Sequence, residues 1–96
     1  MSSGDIIRYV VTIHIHEASL TELNELNNTF TRANFLLTLT DDDGNIHDLG
    51  TLTFGLISAL SEEEIHTLAS SLVESVTDKH AETDVETWER WQKKEQ

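Results

Sequence analysis

The order of hydrophobic patterns along this 96-residue chain constrains its fold more than any other feature. Period-two alternation is typical of strands, and apolar residues three and four apart are typical of helices. Strands are predicted over residues 6–16, 35–39, 51–57 and 81–86, and helices over residues 19–30 and 61–76. The order strand–helix–strand–strand–helix–strand is the split βαβ arrangement. The sequence therefore predicts an α+β fold.

The first strand indicates how the layers are stacked. Tyr9, Val11 and Ile13 alternate with mostly polar residues, so one face of the sheet is predicted to be apolar and the other open to solvent. This pattern predicts a ferredoxin-like βαββαβ sandwich, with an antiparallel four-stranded sheet and two helices on one face. We expect a single domain over residues 1–96, with residues 1–5 and 92–96 disordered.

Local signals support these elements. Ser19 with Glu22 and Ser61 with Glu64 have the spacing of capping boxes, which begin helices. The segment DDDGN at residues 41–45 predicts a turn, and it lacks the glycine and glutamate spacing of an EF-hand calcium loop. The aromatic pair near the end of the chain is predicted to close over the sheet as core, with a stacking platform for a base as the alternative.

Charge and composition limit the classes of function. The chain has 18 acidic and 6 basic residues and a net charge of −12. Such a surface repels phosphate backbones at long range, and residues 88–94 are the one segment that places basic residues beside aromatic ones, so DNA binding is not expected. The chain has no cysteine, which excludes disulfides and thiol nucleophiles and is consistent with a cytoplasmic location. Neither a signal peptide nor a membrane span is predicted.

Short motifs follow one another in a specific order and spacing over roughly residues 9–91. They are YVVT at residues 9–12, TF at 53–54, IS at 57–58, SEEEI at 61–65, DVET at 84–87 and the final pair Trp88 and Trp91. Together, these motifs resemble the GhoS family. The resemblance implies a ferredoxin-like fold related to the CRISPR-associated Cas2 proteins. It also implies an antitoxin of a type V toxin–antitoxin pair, which acts as a sequence-selective endoribonuclease on the mRNA of a small membrane-damaging toxin.

The sequence departs from this family pattern at two places. Cas2-type nucleases are associated with an acidic residue near the end of the first strand, where it can hold a metal. His14 occupies that position here, and the nearest acid is Glu17. Family members with RNA activity are also expected to carry cations on the first helix, where this chain has Asn24, Glu25, Asn27 and Asn28.

A pair of histidines is the candidate catalytic feature. His14 and His16 lie two residues apart on the polar face of the first strand, and imidazole, with an ordinary pKa of about 6.5, suits proton transfer in RNA cleavage. We predict that His14 and His16 are catalytic and that Arg8, Thr12 and Arg32 bind RNA. Cleavage is expected to need no metal or to be weakly aided by a divalent ion. Two ordinary surface histidines are the competing interpretation.

Two functions from different classes stay open on this sequence. The first is a GhoS-like antitoxin with endoribonuclease activity on toxin mRNA. The second is a non-catalytic acidic module of the same fold, which binds a protein partner or imitates a nucleic acid. Both are compatible with a monomer or a homodimer.

Overall fold

The computed structural model of the protein describes residues 6–15, 17–78 and 81–95. Within these residues, strands and helices combine in a mixed α+β fold, as the sequence predicts. The elements are β1 (Ile7–His14), α1 (Leu20–Arg32), β2 (Thr38–Thr40), β3 (Ile46–Asp48), β4 (Thr53–Ser58), α2 (Glu62–Thr77), β5 (Glu82–Thr87) and α3 (Trp88–Glu95).

The main sheet has β1 at its centre. Both β4 and β5 pair with β1 in antiparallel orientation, so the strand order is β4–β1–β5. The prediction of a four-stranded sheet is not met, because this sheet has three strands within the described ranges. A single bridge, in which the backbone N–H groups of Leu36 and Gly55 each donate to the other carbonyl at 2.7 Å, continues the pattern outside β4. The chain then leaves the sheet and forms a separate β2–β3 hairpin.

The main core lies between the sheet and the two long helices. Tyr9, Val11 and Ile13 point from β1 into this core, as their alternation predicts. Leu26 and Phe30 of α1 and Ile65 and other residues of α2 cover them from the helix side. Phe30 stacks on Phe54 of β4, with ring centroids 4.5 Å apart. The two helices therefore share one face of the sheet.

The opposite face of the sheet is also covered, which corrects the prediction of an open polar face. Val10 has 1% of its surface exposed and packs with Leu39, Leu49 and Trp88 in a second core. Leu39 comes from the hairpin and Trp88 from α3. The sequence pattern of β1 does not predict that this face is buried, because Val10 is the only apolar side chain on that face of the strand.

The hairpin folds over Gly55 of β4. A Cβ atom built at Gly55 would lie 2.7 Å from the side chain of Leu39, so this glycine leaves room for the hairpin to dock. The sequence predicts that Phe35 and Leu39 point into one core, but they lie in different cores on opposite faces of the sheet. The bend between the Leu36 bridge and β2 carries the chain from one face to the other.

Both long helices begin where the capping boxes predict. The Ser19 hydroxyl accepts a hydrogen bond from the Glu22 backbone, and the Ser61 hydroxyl accepts one from the Glu64 backbone. In each box the glutamate side chain accepts the serine N–H in return. The last helix, α3, continues to residue 95 and so includes residues 92–95, which the sequence predicts as part of a disordered tail.

Candidate active site

The sheet face that carries the predicted site has an uneven cover. Arg8, Val10, Thr12 and His14 alternate along this face of β1, and the hairpin and α3 cover it near Val10. Thr12 and His14 lie beyond the second core, toward the end of the strand, and His14 is exposed. The register places two β5 carboxylates beside them: Glu82 pairs with His14, and Asp84 pairs with Thr12. The open end of the face is therefore acidic around one imidazole.

His14 is held by a carboxylate of the neighbouring strand. Its Nε2 atom lies 2.8 Å from Oδ2 of Asp84, within hydrogen-bond distance. Both side chains are accessible, with 53% and 68% of their surfaces exposed. An aspartate at one ring nitrogen fixes the orientation of the imidazole and leaves Nδ1 as the second proton-exchanging atom. The arrangement resembles the base-and-orienting-group pairs that nucleases and hydrolases use in proton transfer.

Arg8 lies at the other end of β1 and supports the hairpin. Its guanidinium donates to the carbonyl of Thr40 at 3.0 Å and to Asp42 at 3.3 Å. Arg8 and His14 are six residues apart along the strand, a distance of about 20 Å. The structure therefore does not bring the Arg8 guanidinium to the histidine, and its predicted role in RNA binding stays a prediction.

The remaining predicted residues have different positions. Thr12 is half-buried on the same face as His14, between Asp84 and Thr53 of the flanking strands. Arg32 is in the last turn of α1, the helix that packs on the opposite face of the sheet from Arg8. His16 lies outside the described residues. Thus Thr12 is the predicted RNA contact that shares the face and the strand end with His14.

Sequence reasoning missed a second histidine–carboxylate pair, in the hairpin. His47 Nε2 lies 2.8 Å from Oδ2 of Asp41, and the His47 ring meets the edge of Trp88 with centroids 5.4 Å apart. The pKa of Asp41 is lowered from 3.8 to about 2. The main cause is the hydrogen bond from His47, and the next is the bond from the backbone N–H of Asn45. The turn residues at 41–45 indicate where Asp41 lies. No sequence pattern indicates that its side-chain partner is His47, six residues later.

Metal ligands are not clustered in the described part of the chain. Over residues 6–15, 17–78 and 81–95, no three histidine or carboxylate side chains converge closely enough to hold a metal ion.

Comparison with known families defines the class of protein. A family model described as endoribonuclease GhoS matches residues 1–94, which places the chain among endoribonuclease-type proteins. The chain belongs to the GhoS family, and the resemblance predicted from the sequence is confirmed. It is also 62% identical over 91 residues to the uncharacterized protein YdiZ of Escherichia coli K12 and to that of E. coli O157:H7. The match covers 95% of this chain and 95% of each relative.

Among the helices that the structure describes, none combines the length and the apolar composition that a membrane crossing requires.

Proposed function

We propose that this protein is a GhoS-like antitoxin that cleaves RNA by general acid–base catalysis at the open end of the β1 face. His14 is the proposed proton acceptor, and Asp84 is the positioning residue that orients its ring. The 2.8 Å contact between His14 and Asp84 carries the proposal, because it supplies an oriented, accessible imidazole in a chain of an endoribonuclease family. Thr12, on the same face, is the proposed neutral contact to the RNA.

The proposed reaction uses the 2′-hydroxyl of RNA as nucleophile. Neutral His14 takes the proton of the 2′-hydroxyl, and O2′ forms a bond to the adjacent phosphorus. The bond from phosphorus to O5′ breaks, and O5′ takes a proton from a general acid or from water. His16, the second predicted catalytic residue, is the proposed acid. The products are a 2′,3′-cyclic phosphate and a free 5′-hydroxyl.

We infer that the fold is a ferredoxin-like variant in which the second strand is reduced to the Leu36 bridge. Two features support this inference: the order β4–β1–β5, and an antiparallel bridge on the outer edge of β4. The proposed substrate is the mRNA of a small toxin, as the family resemblance implies.

Transcript-wide cleavage mapping with the purified protein tests the proposal. We expect cleavage to fall about 10²–10⁴-fold in His14→Ala, the range for loss of a general acid or base, and further in the His14→Ala, His16→Ala double variant. His66→Ala is the matched control, because His66 is exposed on α2 at the opposite side of the sheet. A 2′-deoxy nucleotide at the cleaved position should block the reaction.

The results that contradict the proposal are equally specific. Cleavage at the wild-type rate by His14→Ala, or products that lack a 2′,3′-cyclic phosphate, would contradict the catalytic role of His14. Toxin-like transcripts that stay intact under all divalent-ion conditions would contradict the proposed endoribonuclease activity.

A non-catalytic acidic module is the second candidate function. The exposed carboxylates Glu82 and Asp84 on β5, together with the net charge of −12, favour a basic protein partner. If the wild-type protein captures a stable basic partner and turns over no RNA, this function is supported over the first. The Glu82→Gln, Asp84→Asn variant should then lose the partner.

A further inference from the structure

A groove of about 420 Å³ lies between α1 and the segment that joins β3 to β4. This volume is within the range of roughly 300–1,000 Å³ that is usual for small-ligand sites. We propose that the groove binds one unpaired nucleobase of the RNA substrate, a base that carries an exocyclic amino group. The inference rests on the proposed function and deepens it, because it assigns the groove to substrate recognition.

Two amide side chains line one wall of the groove. Asn24 and Asn27 are three residues apart in α1 and therefore lie on one face of the helix. Both are exposed, and neither amide has a hydrogen-bond partner among residues 6–15, 17–78 and 81–95. An amide offers a donor and an acceptor side by side, which matches the edge of an unpaired base. Single-stranded bases are the part of RNA that proteins read in this way.

Leucine side chains supply the apolar surface that a base ring needs. Leu23 comes from the helix side, and Leu37 and Leu52 from the opposite side. Leu37 is 46% exposed, although its position in the sequence pattern predicts burial. Leu52 has a φ angle of 56°, a left-handed conformation that branched apolar residues rarely adopt. Such strained positions are concentrated at ligand and active sites.

The groove adjoins the end of β1 that carries His14. The carbonyl of Leu52 accepts a hydrogen bond of 2.9 Å from the backbone N–H of Ile13, the residue before His14. Thr53, which follows Leu52, pairs with Thr12. A base in the groove would therefore lie at the same end of the sheet as the proposed proton transfer.

The charge of the groove selects a base rather than a phosphate. Asp48 is the one charged side chain in its lining. One oxygen of this carboxylate accepts the backbone N–H of Gly50 at 3.1 Å, and the other is an acceptor that can face the ligand. A carboxylate repels phosphate but accepts a hydrogen bond from the exocyclic amino group of adenine, cytosine or guanine. Uracil has no such group and should bind more weakly.

Neutral nucleosides test the groove separately from cleavage, since they carry no phosphate. We expect millimolar adenosine, cytidine or guanosine to shift the NMR signals of the Asn24 and Asn27 side-chain amides in the full-length protein, and uridine to do so at least several-fold more weakly. Asn27→Leu should weaken binding roughly tenfold or more, the usual cost of one lost bidentate base contact. Asn28→Leu is the matched control, because Asn28 is exposed on the same helix and does not line the groove.

The outcomes distinguish the two proposals. Absence of shifts at Asn24 and Asn27 with every nucleoside, or equal binding of uridine, overturns the groove inference, even where RNA cleavage is intact. Nucleoside binding that Asn27→Leu abolishes and Asn28→Leu preserves supports the groove, even where no RNA is cut. In that second case the proposed cleavage fails and the groove stands as a base-binding site.

Discussion

At the scale of single residues, the Asp41 carboxylate organises the hairpin turn. It accepts hydrogen bonds from the ring of His47 at 2.8 Å and from the backbone N–H groups of Asn45 and Asp43, both at 2.9 Å. These donors stabilise the ionised form and lower the pKa of Asp41 to about 2. A carboxyl group whose folded-state pKa is depressed stabilises the fold above its unfolded pKa, here 3.8, and this contribution is lost as the pH falls toward 2.

We therefore predict acid-induced loosening of the hairpin between about pH 4 and pH 2. Amide-exchange protection in β2 and β3, measured by NMR at stepped pH, should decrease over this window in the wild-type protein. Asp41→Asn should lack this pH-dependent change, whereas Asp43→Asn, which removes a neighbouring exposed carboxylate, should retain it. A wild-type hairpin that keeps its protection at pH 2 would contradict the role assigned to Asp41.

Gly55 lies too close to Leu39 to accommodate a side chain. Its φ angle is not in the left-handed region, so the cost of Gly55→Ala comes from space alone. The new methyl group would lie 2.7 Å from the Leu39 side chain, and such overpacking costs about 1–3 kcal/mol in the free energy of unfolding. Urea denaturation measures this cost. Gly55→Ala should cost less in a protein that also carries Leu39→Ala. If its cost is the same in the wild-type and Leu39→Ala proteins, Leu39 is not the side chain that obstructs the new methyl group.

At the scale of elements, the cap of α2 should contribute measurably to stability. Ser61 accepts the Glu64 N–H at 3.2 Å, and the Glu64 carboxylate accepts the Ser61 N–H at 3.0 Å, which lowers the pKa of Glu64. Ser61→Ala should lower the free energy of unfolding by about 0.5–2 kcal/mol. Ser71→Ala, at an exposed position inside the same helix, is the control and should change it by less than about 0.5 kcal/mol. Equal effects in the two variants would contradict the capping assignment.

Elements with strong local patterns were predictable from the sequence. The starts of both long helices follow from their capping boxes, and the buried face of β1 follows from its period-two alternation. The position of the hairpin does not, because its docking depends on a contact between Leu39 and Gly55, which are far apart in sequence. For the site, the face of Thr12 and His14 was predictable. The partner Asp84 and the groove beside Asn24 and Asn27 depend on strand register and on the path of a loop, which a single sequence does not encode locally.

At the scale of the whole molecule, the net charge of −12 opposes the approach of RNA. We predict that cleavage of a long transcript becomes faster, not slower, when monovalent salt rises from about 10 mM to about 150 mM, because the Debye length shortens from roughly 30 to 8 Å. Proteins that bind RNA through cations show the reverse dependence.

Cleavage rates at a fixed low substrate concentration measure this effect. The affinity for neutral adenosine is the control and should change little over the same range of salt. A steep fall in the cleavage rate with salt would indicate a cationic RNA-binding surface and would contradict the prediction.

The two indoles of α3 lie face to face, with centroids 5.6 Å apart and an angle of 18° between the rings. At this separation their electronic transitions couple, which should produce a two-signed band in the circular dichroism spectrum. Since Trp88 is sealed beneath the hairpin and only 2% of its surface reaches solvent, the band should vanish when the C-terminal segment detaches. The protein thus contains an intrinsic optical reporter of its own carboxyl-terminal packing, readable without any added label.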